Sequence, residues 1–177
     1  MTKKLSMEEL GRVSPEEYKE QAKIPLIVIL DSIRSMNNVG SIFRTSDAFA
    51  IEKIYLCGIT ACPPHKEITK TALGATETVK WEYVEDVVTL SKQLQLEGYS
   101  VYMIEQTDHA VMLEQFQLPD AKKTAIVLGN EVFGVDDRLL DICDGAIEIP
   151  QYGVKHSLNV SIAGGIVIWE IFRKMTT

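Results

Sequence analysis

Five strand-length runs alternate with helical segments along the chain, and the first of them, Leu26-Ile27-Val28-Ile29-Leu30, is apolar at every position. A strand with one wet face alternates apolar and polar residues, so a continuous run must be buried on both faces, as in a parallel sheet sandwiched between helices. The other runs are Ile54–Cys57, Ser100–Glu105, Thr124–Leu128 and Ala146–Ile149. Between them the apolar spacing predicts helices over Val39–Phe49 with Asn38 as cap, Lys66–Leu73 stopped at Gly74, Glu85–Glu97 closed by Gly98, and Leu158–Arg173. Ser14-Pro15-Glu16-Glu17 has the form of a helix start, opening a short helix that ends near Lys23. The expected fold is α/β, with a mainly parallel sheet covered by helices on both faces. A chain of 177 residues supports one substantial core and not two, so residues 1–25 read as a short helical arm and 26–177 as the domain. Gly164-Gly165, inside an apolar helical stretch, reads as a point of close helix packing.

Composition narrows the function classes. The hydrophobic fraction of 46% and charged fraction of 24% are those of an ordinary globular protein. No apolar run approaches ~20 residues, so no membrane span or membrane partner is expected. The first residues turn acidic without an apolar core, so no signal peptide is expected. Three cysteines, an odd number, suit reduced thiols in the cytoplasm. The 18 basic against 25 acidic residues leave a net charge of −7. That weighs against a nucleic-acid partner unless a local basic patch operates on the acidic body.

Three strand-end blocks carry the polar chemistry. They are Asn37-Asn38-Val39-Gly40-Ser41-Ile42-Phe43-Arg44, Leu128-Gly129-Asn130-Glu131-Val132-Phe133-Gly134, and Ile149-Pro150-Gln151-Tyr152-Gly153 running on to Ser157-Leu158-Asn159-Val160-Ser161. Taken singly, the first is a helix cap, a turn glycine and a solvated arginine. The second lacks the Lys-Ser or Lys-Thr of a phosphate loop and the glycine spacing of a dinucleotide fold. Ser157 has a neighbouring His156 but no nucleophile elbow, so acyl transfer is disfavoured. Cys57, Cys62 and His65 lack a fourth ligand, and no metal is expected. Together, three ligand-facing loops without paired acids, metal ligands or a phosphate loop suggest group transfer from a bound cofactor.

In this order and spacing the blocks resemble the SpoU-type RNA ribose 2′-O-methyltransferases of the SPOUT superfamily. Asn38-x-Gly40-x-x-x-Arg44 is similar to the first family motif, Leu128-Gly129-Asn130-Glu131-x-x-Gly134 to the second, and Ile149 through Ser161 to the third. The resemblance implies a deep C-terminal trefoil knot, an exception to the rule against knots, and S-adenosylmethionine as cofactor. It places the cofactor against Gly129, Ile149 and Leu158, with Asn130 and Gln151 beside it. It makes Arg44 the residue that activates the ribose hydroxyl, and a guanidinium fork suits anchoring a phosphate and stabilising a developing alkoxide. Asn38, Ser157 and Asn159 would orient the ribose and Arg44, while Glu131 would hold the cofactor loops and the dimer contact. The implied partners are structured RNA, tRNA preferred slightly over rRNA, and a second copy of the chain. Arg34, Lys66, Lys70, Lys155 and His156 would form the local basic patch with Arg44. The rival reading is an RNA-binding or ribosome-assembly factor that keeps the fold without the catalysis.

Overall fold

The computed structural model describes every residue except Met1 and Met7, so those two members of the expected 1–25 arm lie outside the described residues. Seven parallel strands form one sheet in the order β3-β2-β1-β6-β4-β7-β5. They are β1 Ile24–Asp31, β2 Ile51–Cys57, β3 Trp81–Val84, β4 Ser100–Ile104, β5 Val111–Met112, β6 Thr124–Leu128 and β7 Gly145–Glu148. The helices are α1 Pro15–Glu20, α2 Met36–Ala48, α3 Lys66–Ala72, α4 Ala75–Thr78, α5 Val87–Leu96 and α6 Val160–Thr176. Among the described residues no helix is long and apolar enough to cross a membrane.

The all-apolar runs do what their composition demands. Leu26, Val28 and Leu30 join Ile126 and Leu128 in the core beneath α2, α3 and α6. Ile27 and Ile29 join Ala125 and Val127 in the core beneath α5. Alternate side chains of β1 and β6 thus fill opposite layers, and the sheet is buried on both faces as expected. Because every strand runs the same way, Asp31, Cys57, Ile104, Leu128 and Glu148 all end at one edge. That edge is where a parallel α/β sheet leaves a crevice for ligands.

Several expected details are corrected. The cap of α2 is Ser35, whose side chain accepts from the Asn38 amide, so Asn38 lies in the first helical turn. Gly40 is therefore not a turn glycine. A Cβ there would collide with Thr71 Oγ1 and Ile68 O and lie 3.0 Å from Ala72 N, so its absence lets α3 press against α2. Asn159, and not Leu158, begins α6, accepting from Ser161 N and Ile162 N. Only half of the Gly164-Gly165 pair is a packing device. A Cβ at Gly164 would lie 2.9 Å from Leu128 Cδ1 and 3.7 Å from Ile42 Cγ1, whereas Gly165 faces open space. β3 and β5 were missed by the sequence reading because each is a short edge strand with little buried side chain.

The C-terminal path crosses back over the sheet. From β6 at the centre the chain reaches β7 on the far side of β4. It then returns through α6, which packs against α2 and β1.

Candidate active site

The strand ends β6, β4 and β7 open into a cleft of about 860 Å³. The turn after β6 forms one wall, the segment after β7 a second, and the residues after β4 the floor. The turn after β6 is held as a compact unit. Asn130 and Gly134 exchange backbone hydrogen bonds of 2.8 and 2.9 Å. The Asn130 side chain accepts from Val132 N and Phe133 N and donates to Ser32 O at 2.7 Å. A Cβ on Gly129 would strike Val135 N and Gly134 C and lie 2.5 Å from Gly134 O, so the two arms of the turn touch there. Only glycine allows that approach.

Glu131 projects away from the turn onto the start of α2. Its carboxylate accepts from Arg34 N at 2.9 Å, Ser35 N at 3.0 Å and Asn38 Nδ2 at 3.1 Å. A helix start presents unpaired N–H groups and positive potential, and a carboxylate satisfies both. Burial pushes the Glu131 carboxyl up, but the Arg34 and Ser35 amide donors outweigh it and hold the group below the usual carboxylate range. Asn38 completes the connection, because its Oδ1 accepts from Asn159 Nδ2 at 3.1 Å. Asn159 in turn caps α6. One chain of side-chain hydrogen bonds, Asn159 to Asn38 to Glu131, therefore joins the three sequence blocks.

The expected site residues divide into two groups. Gly129, Asn130, Glu131, Ile149, Gln151, His156, Ser157, Leu158 and Asn159 all line the cleft. Among the described residues, the backbones of Gly129, Ile149 and Leu158 take part in no turn or loop hydrogen bond, leaving polar atoms free beside the apolar side chains of Leu128, Ile149 and Leu158. Asn38 stands behind the wall, bonded to two of its members. Arg34, Arg44, Lys66, Lys70 and Lys155 are exposed, and none lines the cleft. Arg44 lies six residues beyond Asn38 on α2, about 9 Å further along the helix axis. Lys66 and Lys70 lie on α3, which packs against α2 through Gly40.

Sequence reasoning missed the floor of the cleft. Glu105, Gln106, Thr107 and Asp108 follow β4 and line it. No motif marks them; a carboxylate directly after a strand was the sole signal. Asp31, at the end of β1, was missed too. It is buried and accepts from Asp136 N at 3.0 Å. Burial pushes its carboxyl up, and the Asp136 amide offsets part of that. Of the three residues Cys57, Cys62 and His65, burial pushes the Cys57 thiol up to about 12, and His65 Nδ1 accepts from Glu67 N at the start of α3.

A parallel α/β sheet whose strand-end turns meet around one cleft is the arrangement of ligand-binding α/β proteins, and likeness narrows it. Residues 25–169 match the SpoU rRNA Methylase family, and the chain belongs to that family. It is 31% identical over 164 residues to the tRNA (guanosine(18)-2'-O)-methyltransferase of Aquifex aeolicus, covering 89% of this chain and 74% of that protein. It is 31% identical over 150 residues to the 23S rRNA (guanosine-2'-O-)-methyltransferase RlmB of Vibrio vulnificus, covering 85% of this chain and 60% of the relative. The solved structure of an AdoMet-bound rRNA methyltransferase from Sinorhizobium meliloti matches with a TM-score of 0.79 and 26% identity, over 92% of this chain and 61% of that one. The chain spans less than two thirds of the length of several curated relatives that it matches.

Proposed function

We propose that this chain transfers a methyl group from S-adenosylmethionine to a ribose 2′-hydroxyl of structured RNA, with tRNA the first substrate to test. The observation that carries the reading is the Asn159–Asn38–Glu131 chain. It joins the wall of the cleft to the start of the helix that bears Arg44, so cofactor loops and RNA-facing helix share one rigid frame.

The cleft suits the cofactor. Its volume falls in the range of small-molecule sites. Leu128, Ile149 and Leu158 offer apolar walls for an adenosyl group, with the free backbone atoms of Gly129, Ile149 and Leu158 to read its polar edge. Glu105, Asp108, Asp137 and Glu148 line the same space, and carboxylates favour a cationic ligand. When bound, S-adenosylmethionine supplies an electrophilic methyl on a positively charged sulfur. The chain contributes alignment and exclusion of water. In this reading Ser157 and Asn159 orient the ribose, and the Arg44 fork grips the neighbouring phosphate and lowers the energy of the developing alkoxide.

Arg44 does not line the cleft of its own chain, which supports a homodimer in which it serves the partner's site. The surface for such a dimer is present. Ile162, Ile166 and Trp169 are 56, 39 and 50% exposed on one stripe of α6, and Gly165 on the same stripe leaves room for close approach. The return of α6 across the sheet supports a trefoil knot formed by the segments after β6 and β7. Residues 26–177 would be the catalytic unit and 1–25 an arm. Exposed Arg34, Lys66, Lys70 and Lys155 would form the RNA-facing patch, together with His156. Reversing Lys70 or Lys155 to Glu should then weaken RNA binding and reduce its salt dependence, while Lys92→Glu on α5 should do neither.

The direct test is transfer of labelled methyl from S-adenosylmethionine to total RNA, followed by mapping of alkali-resistant linkages. Arg44→Ala should lower transfer at least ~100-fold and leave cofactor affinity within about threefold. Label in a base, or none in RNA although calorimetry shows cofactor bound, would sink the proposal.

A further inference from the structure

Resting on that reading of the cleft, we infer that Glu105 is a positioning residue for the cofactor site, holding the Gly129–Val135 turn in place from beneath. Glu105 follows the last residue of β4, where its amide donates to Ile147 O at 3.2 Å. Oε1 accepts from Gln106 N at 2.9 Å, which fixes the side chain against its own backbone. Oε2 accepts from Val135 N at 3.3 Å. The other half of the contact is a missing atom. A Cβ built on Gly134 would fall on Oε2 and lie 3.3 Å from Cδ, so the carboxylate fills the space that any other residue at 134 would need.

The consequences run through the turn. Gly134 is bonded in both directions to Asn130, and Gly134 with Val135 touches Gly129, whose free backbone faces the cleft. Displacing Glu105 therefore displaces Gly129. Glu131 ties the outer side of the same turn to α2, and Asp31 takes the Asp136 amide just beyond it. Glu105 and Glu131 both line the cleft, and of the two only Glu105 bonds the arm of the turn that bears Gly134 and Val135. No expected motif contains it.

The pairing with Gly134 gives a test that separates support from charge. S-adenosylmethionine and S-adenosylhomocysteine binding would be measured by calorimetry, and thermal unfolding without cofactor, for the native chain, Glu105→Ala, Glu105→Gln, Gly134→Ala and the Glu105→Ala/Gly134→Ala double variant. Glu105→Ala should weaken binding of both ligands about tenfold. Glu105→Gln should stay within about threefold, because its amide oxygen can still accept the Val135 N–H. Gly134→Ala should weaken binding about tenfold or more in the native chain, through collision with the carboxylate and its φ of +74°. Once the carboxylate is gone only the backbone strain remains, so the same change should cost less than about threefold in the Glu105→Ala chain. The thermal midpoints should show the same non-additivity. Additive penalties would overturn the inference. So would equal losses for Ala and Gln confined to S-adenosylmethionine, which would make Glu105 a charge aimed at the sulfonium. Failure of the native chain to bind cofactor would overturn the proposed function, and with it this role for Glu105. Normal binding with additive penalties overturns Glu105 alone.

Discussion

The two walls of the cleft are built on opposite plans. The turn after β6, residues 129–136, is tied internally through Asn130 and outward to α2, β4 and β1 through Glu131, Glu105 and Asp31. In the segment after β7, residues 149–158, no hydrogen bond is made among the described residues, and the first anchored residue is Asn159. Tyr152 and Val154 are 97 and 92% exposed there. Unpaired backbone and exposed apolar side chains mark a segment of low local stability. One wall therefore has its geometry before any ligand arrives, and the other gains partners only from what binds it. A preformed wall fixes where a ligand sits, and an unanchored wall can close over it.

The largest break in this comparison comes from Gly129→Ala. The added methyl meets main-chain atoms of Gly134 and Val135, which cannot swing aside as a flexible side chain can. Overpacking against a well-ordered site is expected to destabilise by about 3 kcal/mol or more. For a chain of this size that lowers the thermal midpoint by roughly 6–12 °C. Cofactor binding should disappear in the calorimeter. A stable variant with native affinity would mean that the turn is looser than its contacts imply.

Next in size is the anchor on α2. Glu131→Ala removes three acceptor contacts at a helix start and should cost about 1–2 kcal/mol, near the top of the range for a lost cap. The ionisation of Glu131 gives a second readout. Its folded pKa lies below the ordinary 4.5, so its stabilisation is complete above that value and is lost as pH falls through the lower folded value. The difference between native and Glu131→Gln thermal midpoints should therefore shrink on acidification from about pH 5 towards pH 3. Asp31 is shifted the opposite way by burial, but it is common to both proteins and cancels in that difference. A gap that stays constant with pH would show that the carboxylate charge does not hold the helix start.

How much of this was legible in the sequence follows the same division. β1 and β6 were readable because burial on both faces leaves Leu26–Leu30 and Ala125–Leu128 apolar without a break. The three blocks were readable as polar interruptions at strand ends, and nine of the expected residues do line one cleft. The partners were not readable. Nothing in the local sequence says that Glu131 will meet amides 96 and 97 residues away, or that the Glu105 carboxylate will lie where a Cβ on Gly134 would fall. Gly40 misled for the same reason: a glycine near a strand end suggests a turn, and only tertiary packing reveals that α3 requires it inside a helix. Caps slipped by up to three residues because Ser35, Asn37 and Asn38 are all good cap residues, and the carboxylate arriving from Glu131 favours the start at Ser35.

Cofactor should affect the two walls unequally. Hydrogen exchange of residues 129–136 is already slowed by their own bonds, so S-adenosylmethionine should add little there. Residues 149–158 should go from near-unprotected to slowed by roughly tenfold or more. Equal protection of both segments would erase the contrast on which this picture rests.

The smallest expected effect is also the most discriminating, because it sets a second motif glycine against Gly129. A Cβ at Gly153 would meet nothing within 4 Å, and its φ is not in the left-handed region. Gly153→Ala should therefore leave the thermal midpoint of the cofactor-free chain nearly unchanged, within about 0.5 kcal/mol of stability. It could even stabilise slightly by restricting the unfolded chain. Any effect should appear only with cofactor or RNA present, as a change in affinity at constant intrinsic stability. A large loss of stability in the free protein would mean that the segment after β7 is packed in solution as tightly as the turn after β6, and the two walls would then be of one kind.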